Sequence, residues 1–257
     1  MQEKLDRFKK LIAEITDLGR AEALLGWDQQ TYMPRGSGED RGNVLETVAG
    51  LSHQMFTSSE MGDLLADLLP YADSLDPESD DARLIKRTAH DHDKSTRVPT
   101  EWVAEFARVT TIGQMAWEEA KAANKFEVFR PHLEKVLAMR QAYANFFKPY
   151  DHIYDPLLDD FEAGMKTVEV QEIFNTLRPK QVELIKAISG KPQVDRSFLS
   201  LDYPAEKQRE FGEMVISQFG YDWSHGRQDE SVHPFTSGFG LNDVRITTRF
   251  NPQYLPS

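Results

Sequence analysis

The chain has 257 residues, 40% hydrophobic and 28% charged, with a net charge of −12 and no cysteine. That length is enough to bury the core of one large domain or two small ones. The acidic balance disfavours phosphate backbones and anionic lipid, so neither nucleic acid nor a membrane surface is expected as a partner, and the missing cysteines exclude disulfides, thiolate metal sites and thiol nucleophiles.

Met1 to Arg7 lack the apolar core of a signal peptide, and no apolar run is long enough to span a bilayer, so a cytoplasmic location is expected. Leu5, Phe8, Leu11, Ile12, Ile15 and Leu18 recur at helical steps and predict a helix to about Trp27, ended by Pro34 and the Gly36-Ser37-Gly38 turn. A second helix should turn Val44, Leu45, Val48 and Leu51 inward. Thr57 and Glu60 have capping-box spacing before Leu64, Leu65 and Leu68, and Asp76-Pro77 offers an N-cap and first-turn proline for the next helix. Pro99 opens a helix with Trp102, Phe106, Val109 and Met115 on one stripe. Residues 130–147 and 168–188 read as helices, the latter with an expected kink at Pro179. The last helix begins near Pro204 and stops at Gly220, a good C′ residue.

After Gly220 the texture changes. Residues 231–236 and 243–250 are rich in β-branched and aromatic residues, with Gly238-Phe239-Gly240 between them. The expected fold class is mainly α, with a small antiparallel β-sheet near the C-terminal end of the chain. Residues 1–220 form the helical region and 221–257 the hairpin or sheet. Asn251 to Ser257 lack the polar character of a terminal tail.

Asp243, Arg245 and Thr247 alternate in a predicted strand and should share a face. An arginine between an acid and a hydroxyl is a pre-oriented anion receptor, or else an exposed strand face with a local ion pair. Pro234 restricts His233 to extended backbone, which suits a polar site or a plain turn. His90-Asp91-His92-Asp93 looks like a metal cluster, but helical neighbours two apart do not face each other, so it reads as helix surface with His92 half-buried. Asp155, Asp159, Asp160 and Glu162 group four acids, with Asp155-Pro156 as a helix N-cap and the others as first-turn acids. No P-loop, no Gly-x-Ser-x-Gly elbow and no His-Glu-x-x-His occurs in the sequence.

Four stretches together resemble the thermostable carboxypeptidase (carboxypeptidase Taq) family of zinc metallocarboxypeptidases. They are Leu25 to Gly36 with Arg41, Tyr154 to Met165, His233-Pro234-Phe235, and Asp243-x-Arg245-x-Thr247, in the family's order. The resemblance implies a multi-helix, zincin-like architecture, broad-specificity removal of C-terminal residues from peptide substrates, and a homodimer. It places His233, Asp243, Arg245 and Thr247 beside the substrate groove, with Arg245 either receiving the substrate carboxylate or supporting the strand. The family's His-Glu-x-x-His helix and later glutamate have no counterpart here. The chain is therefore expected to be the N-terminal portion, with no catalytic or metal-ligating residue of its own and the zinc-binding part after residue 257. Zinc, or another divalent metal, is expected in the full-length protein and none on this chain, which alone should be inactive. Two other readings stand beside this one: a non-catalytic helical module that binds peptides or a partner, and a related oligopeptidase. Apolar faces left unpacked would make the chain self-associate.

Overall fold

Leu5, Phe8 and Leu11 lie one turn apart, so a single helical face carries all three. They sit on α1 (Gln2–Thr31) and are almost wholly buried against Met61, Leu64, Leu65, Leu68 and Ala72 of α3 (Ser59–Ala72) and Ile85 of α4 (Asp80–Ser95). The structure is a computed structural model that describes residues 1–255. Pro256 and Ser257, the last two residues of the segment read as lacking a polar tail, lie outside the described residues. The helices continue with α2 (Gly38–Phe56), α5 (Thr100–Ala123), α6 (Phe126–Asn145), α7 (Asp155–Asp159), α8 (Thr167–Ser189) and α9 (Ala205–Gln218). Three strands follow: β1 (Gly226–Glu230), β2 (Thr236–Gly240) and β3 (Asp243–Thr248), in sheet order β1-β3-β2. The mainly helical fold with a small sheet near its end is thus as expected.

The chain divides into two units. One comprises Met1–Met139 and Thr236–Ile246; the other comprises Arg140–Phe235 and the residues from Thr247 on. The core described above belongs to the first unit.

Helix α2 turns inward only part of the face expected. Leu45 is buried and Val48 half-buried, but Val44 and Leu51 are exposed, and Gly42, Ala49 and Gly50 are buried beside Leu45. Small residues let the backbone of α2 approach α5 closely, and that contact outweighs the burial of two larger side chains. A Cβ at Gly38 would overlap Met115 Sδ, and one at Gly42 would lie 3.3 Å from Arg108 Cγ.

Two caps also differ. Ser58, not Thr57, caps α3 by accepting from Met61 N, and Glu60 instead accepts two bonds from Arg7. Ser79 caps α4 by accepting from Ala82 N, while Asp76 closes the preceding turn on Glu78 N. The serine nearer each helix wins because its hydroxyl already lies over the orphan amides. Residues 231–235 precede β2 rather than forming a strand, Thr236 opens it, and Gly238 to Gly240 lie within it. Pro179 sits inside α8, whose assignment is unbroken around it.

His53 ties α2 to the last residue of α4 and the first residue of α5. Its Nε2 donates to Ser95 O at 3.1 Å, which leaves Nδ1 to accept from Thr100 Oγ1 at 2.9 Å. His92 packs edge-on to Phe56. Burial pushes both imidazoles below the ordinary histidine range. Ser95 O and Glu101 pull His53 part of the way back, and Asp93 does so for His92.

Two outcomes follow for this unit. Gly38→Val should cost about 1–3 kcal/mol by overpacking, and most of that cost should vanish in a Met115→Ala background. Urea unfolding of the four-variant cycle reads the coupling, and additive costs would mean the Gly38–Met115 approach is not limiting. For the histidines, the native state binds fewer protons than the unfolded chain. Their stabilisation is therefore complete above about pH 6.5 and is lost as pH falls through the lowered native values. The urea midpoint should drop between about pH 7.5 and about pH 5.5. The drop should shrink in a His53→Gln, His92→Phe variant, and an equal drop would assign it elsewhere.

Candidate functional site

In the first unit, antiparallel β2 and β3 pair Thr236 with Ile246, Ser237 with Arg245, Gly238 with Val244 and Gly240 with Asp243. The register slips between Gly238 and Gly240, so Phe239 is an extra residue on β2. Such a bulge re-aims its side chain. Here the Phe239 ring lies 4.8 Å from the Arg245 guanidinium carbon, and the Trp27 ring of α1 lies 4.4 Å from it. Arg245 donates through Nε to Asp243 Oδ1 (2.9 Å) and through Nη2 to Asp243 Oδ2 (2.8 Å). Its side chain is only 18% exposed. The planar cation is thus forked onto a carboxylate and has aromatic rings against it, which is what guanidinium geometry favours.

Trp27 is itself held in place. Arg41 on α2 donates to Leu25 O and to Asp28 Oδ2 (2.5 Å). Gln29 donates to Thr111 O on α5 (3.1 Å), and Thr31 donates back to Trp27 O. The end of α1 is fixed on both sides, and the Trp27 ring, 5% exposed, cannot drift from beneath Arg245. Nearby, a cavity of about 470 Å³ opens among α1, α2 and α5, with Glu22, Gln30 and Gln114 in its wall. Burial raises Glu22 above the usual carboxylate range.

In the second unit, Thr247 is buried and binds the His-Pro-Phe turn. Its amide donates to Phe235 O (2.8 Å), and its hydroxyl accepts from Phe235 N (2.8 Å). The same hydroxyl lies 2.7 Å from Ser231 Oγ, which reaches His233 O at 2.9 Å. The His233 side chain is exposed. On β1, Arg227 forks onto Asp229 through bonds of 2.7 and 2.6 Å, repeating the strand geometry of Asp243 and Arg245.

The acid group of the second unit is structural. Asp155 opens α7 and does not cap it, since the N-cap is Tyr154. Its buried carboxylate accepts from Thr167 N (2.8 Å) and Thr167 Oγ1 (2.6 Å) at the start of α8, and from His152 N (3.2 Å). Burial pushes this carboxyl up, but the bonds from Thr167 and His152 outweigh it and hold it below its usual range. Asp159 accepts from Gly164 N, and Asp160 accepts from Tyr143 Oη (2.7 Å) and Arg140.

Among the described residues, no group of three or more His, Asp or Glu side chains could hold a metal ion. The described residues do not fit a zinc centre. No helix among them is long and apolar enough to cross a membrane.

A family model described as Carboxypeptidase Taq (M32) metallopeptidase matches residues 7–257. The chain belongs to this family. Among its M32 relatives, the chain is 31% identical over 250 residues to Carboxypeptidase 1 of Bacillus subtilis, covering 95% of this chain and 48% of the relative. It is 32% identical over 258 residues to Thermostable carboxypeptidase 1 of Thermus thermophilus, covering 96% and 50%. The BsuCP crystal structure superimposes with a TM-score of 0.93 at 28% identity, over 98% of this chain and 51% of that one. The M32 carboxypeptidase from Deinococcus radiodurans gives 0.79 at 37% identity, over 98% and 50%. The chain thus spans about half the length of the M32 proteins it matches.

Of the four candidate residues, the structure brings Asp243 and Arg245 together in the first unit. In the second it joins Thr247 to the backbone of the His233 turn. Sequence reasoning missed Trp27 and Phe239 as partners of Arg245, Ser231 as the link between the two short motifs, and Glu22. The Arg-x-Asp spacing at Arg227 and Asp229 carried a readable signal, since alternate strand residues share a face. The contact of Trp27 with Arg245 carried none, because it joins residues far apart in the chain.

Arg245→Lys keeps the charge but loses the fork and the flat face. It should cost about 1–2 kcal/mol in urea unfolding. A cycle with Trp27→Leu should give a coupling of about 0.5–2 kcal/mol. Zero coupling would show that the ring and the guanidinium do not support each other.

Proposed function

We propose that the chain forms the front half of a zinc metallocarboxypeptidase that removes C-terminal residues from peptides. What carries the reading is the family match over residues 7–257, together with relatives that bear the name carboxypeptidase. In this reading the hairpin of β2 and β3, with Asp243 and Arg245, lines the substrate groove, and His233 and Thr247 are further groove candidates. Arg245 acts as a positioning residue: Asp243 takes its forked edge and Trp27 and Phe239 lie against it, so it sets the hairpin on α1 and leaves the substrate carboxylate to another cation. The zinc ligands and the group that activates water are supplied by sequence beyond these residues. The complete enzyme is a cytoplasmic homodimer, and this chain alone is inactive.

The test pairs two measurements. After dialysis against zinc, the chain should retain well under one equivalent of metal and should not shorten a peptide with a free C-terminus. A family-length protein carrying these 257 residues should shorten that peptide and leave its C-terminally amidated form intact. Stoichiometric zinc or cleavage by the chain alone would overturn the division of labour. Cleavage of the amidated peptide by the longer protein would make it an oligopeptidase.

A further inference from the structure

Helix α8 is bare. Every residue from Gln171 to Ser189 is exposed, and no residue of the helix is buried. Its start is nonetheless well anchored, through Asp155 on Thr167 and Glu169 on the Lys166 amide. Ile173, Phe174, Leu177, Leu184, Ile185 and Ile188 are each 42–60% exposed. At about 100° per residue these six fall within an arc of about 120°, along about 22 Å of helix. Pro179, Glu172, Asn175, Glu183 and Lys186 fall on the opposite side, so the face is amphipathic and not simply greasy. An isolated solvated helix has no reason to segregate its residues this way, whereas a helix packed along one side does.

We propose that this stripe is the docking surface for the remaining half of the M32 fold, whether joined to this chain or supplied as a separate one. The proposal rests on family membership and not on the peptidase reading. Two observations select this occupant. The chain overlays nearly all of its own length on only 51% of BsuCP, so the family fold contains about as much polypeptide again. The uncovered apolar residues also reach past α8 to Phe198, Leu201, Phe211 and Met214, and α9, like α8, buries none of its residues. A second copy pairing through α8 would cover one stripe and leave those bare. Gln181, within the same arc, would also face its own kind near the middle of such a pair.

The experiment co-expresses the chain with the part of Bacillus subtilis Carboxypeptidase 1 that follows the region it matches, without added metal. The expected result is a 1:1 complex by light scattering, with slowed amide exchange across Gln171 to Ile188. Leu177→Asp and Ile185→Asp, at exposed positions, should leave the circular dichroism of the free chain unchanged and weaken the complex about 30-fold or more. Four results would overturn the proposal: no complex with a soluble partner half, a partner half insoluble with and without the chain, a complex that leaves α8 exchange unchanged, or a homodimer that protects α8. Since assembly is read without metal or substrate, a failed peptidase assay does not bear on it.

Discussion

The Arg245 cation, with the Trp27 and Phe239 rings against it, is the constraint that seats the β2–β3 hairpin on the end of α1. Through Arg245 the end of α1 meets the β2–β3 hairpin, and the residues it joins lie 218 positions apart. Closing so long a loop is entropically unfavourable, though the cost grows only slowly with length. It is offset by a contact that combines aromatic burial, cation–π attraction and a charge-assisted fork. Each element of that contact needs its own support. The bulge at Phe239 aims one ring, Arg41 and Gln29 fix the helix end that carries the other, and Asp243 sets the plane of the guanidinium. The stretch around Trp27 and Asp28 thereby forms a seat for a strand residue.

The same economy operates in the second unit. Thr247 and Ser231 are buried hydroxyls, and such groups are costly unless bonded. They bond to each other and to the backbone of Phe235 and His233, so the His-Pro-Phe turn and the end of β3 fold as one piece. Two motifs that look independent in the sequence are each other's hydrogen-bond partners.

Much of the helical framework was legible because periodicity and punctuation are local. Leu5, Phe8 and Leu11 point where their spacing says, Pro99 opens α5, and Gly220 takes the left-handed conformation that a residue just past a helix end requires. The misreadings have one physical source: competition settled outside the window being read. Val44 lost its inward place to Gly42 because α5 comes close to α2, which no property of residue 44 announces. Thr57 lost the cap to Ser58 because the chain enters α3 one residue later. Asp155 has the sequence of a cap for its own helix and instead accepts from the first residue of the next one, Thr167. At the candidate site, the Asp243–Arg245 pair could be read from strand alternation, but whether that arginine was a receptor or a clamp depended on two rings supplied by distant residues.

The two units differ in what holds them together. The first closes over a nine-residue apolar cluster, the term that normally dominates folding. Among the described residues of the second, the buried set is Asp155, Asp229, Ser231 and Thr247, with Tyr143, Ala144 and Pro156 as its buried apolar members. Side-chain hydrogen bonds define its shape, yet each contributes only about 1 kcal/mol net. Its large apolar side chains meanwhile face outward along α8 and α9. A segment with specific polar joints and its hydrophobic residues on the outside is an interior that lacks its other wall. If the stripe on α8 is where that wall docks, the apolar term missing from the second unit is supplied by association. Its polar joints then serve to hold α8 in position for that contact.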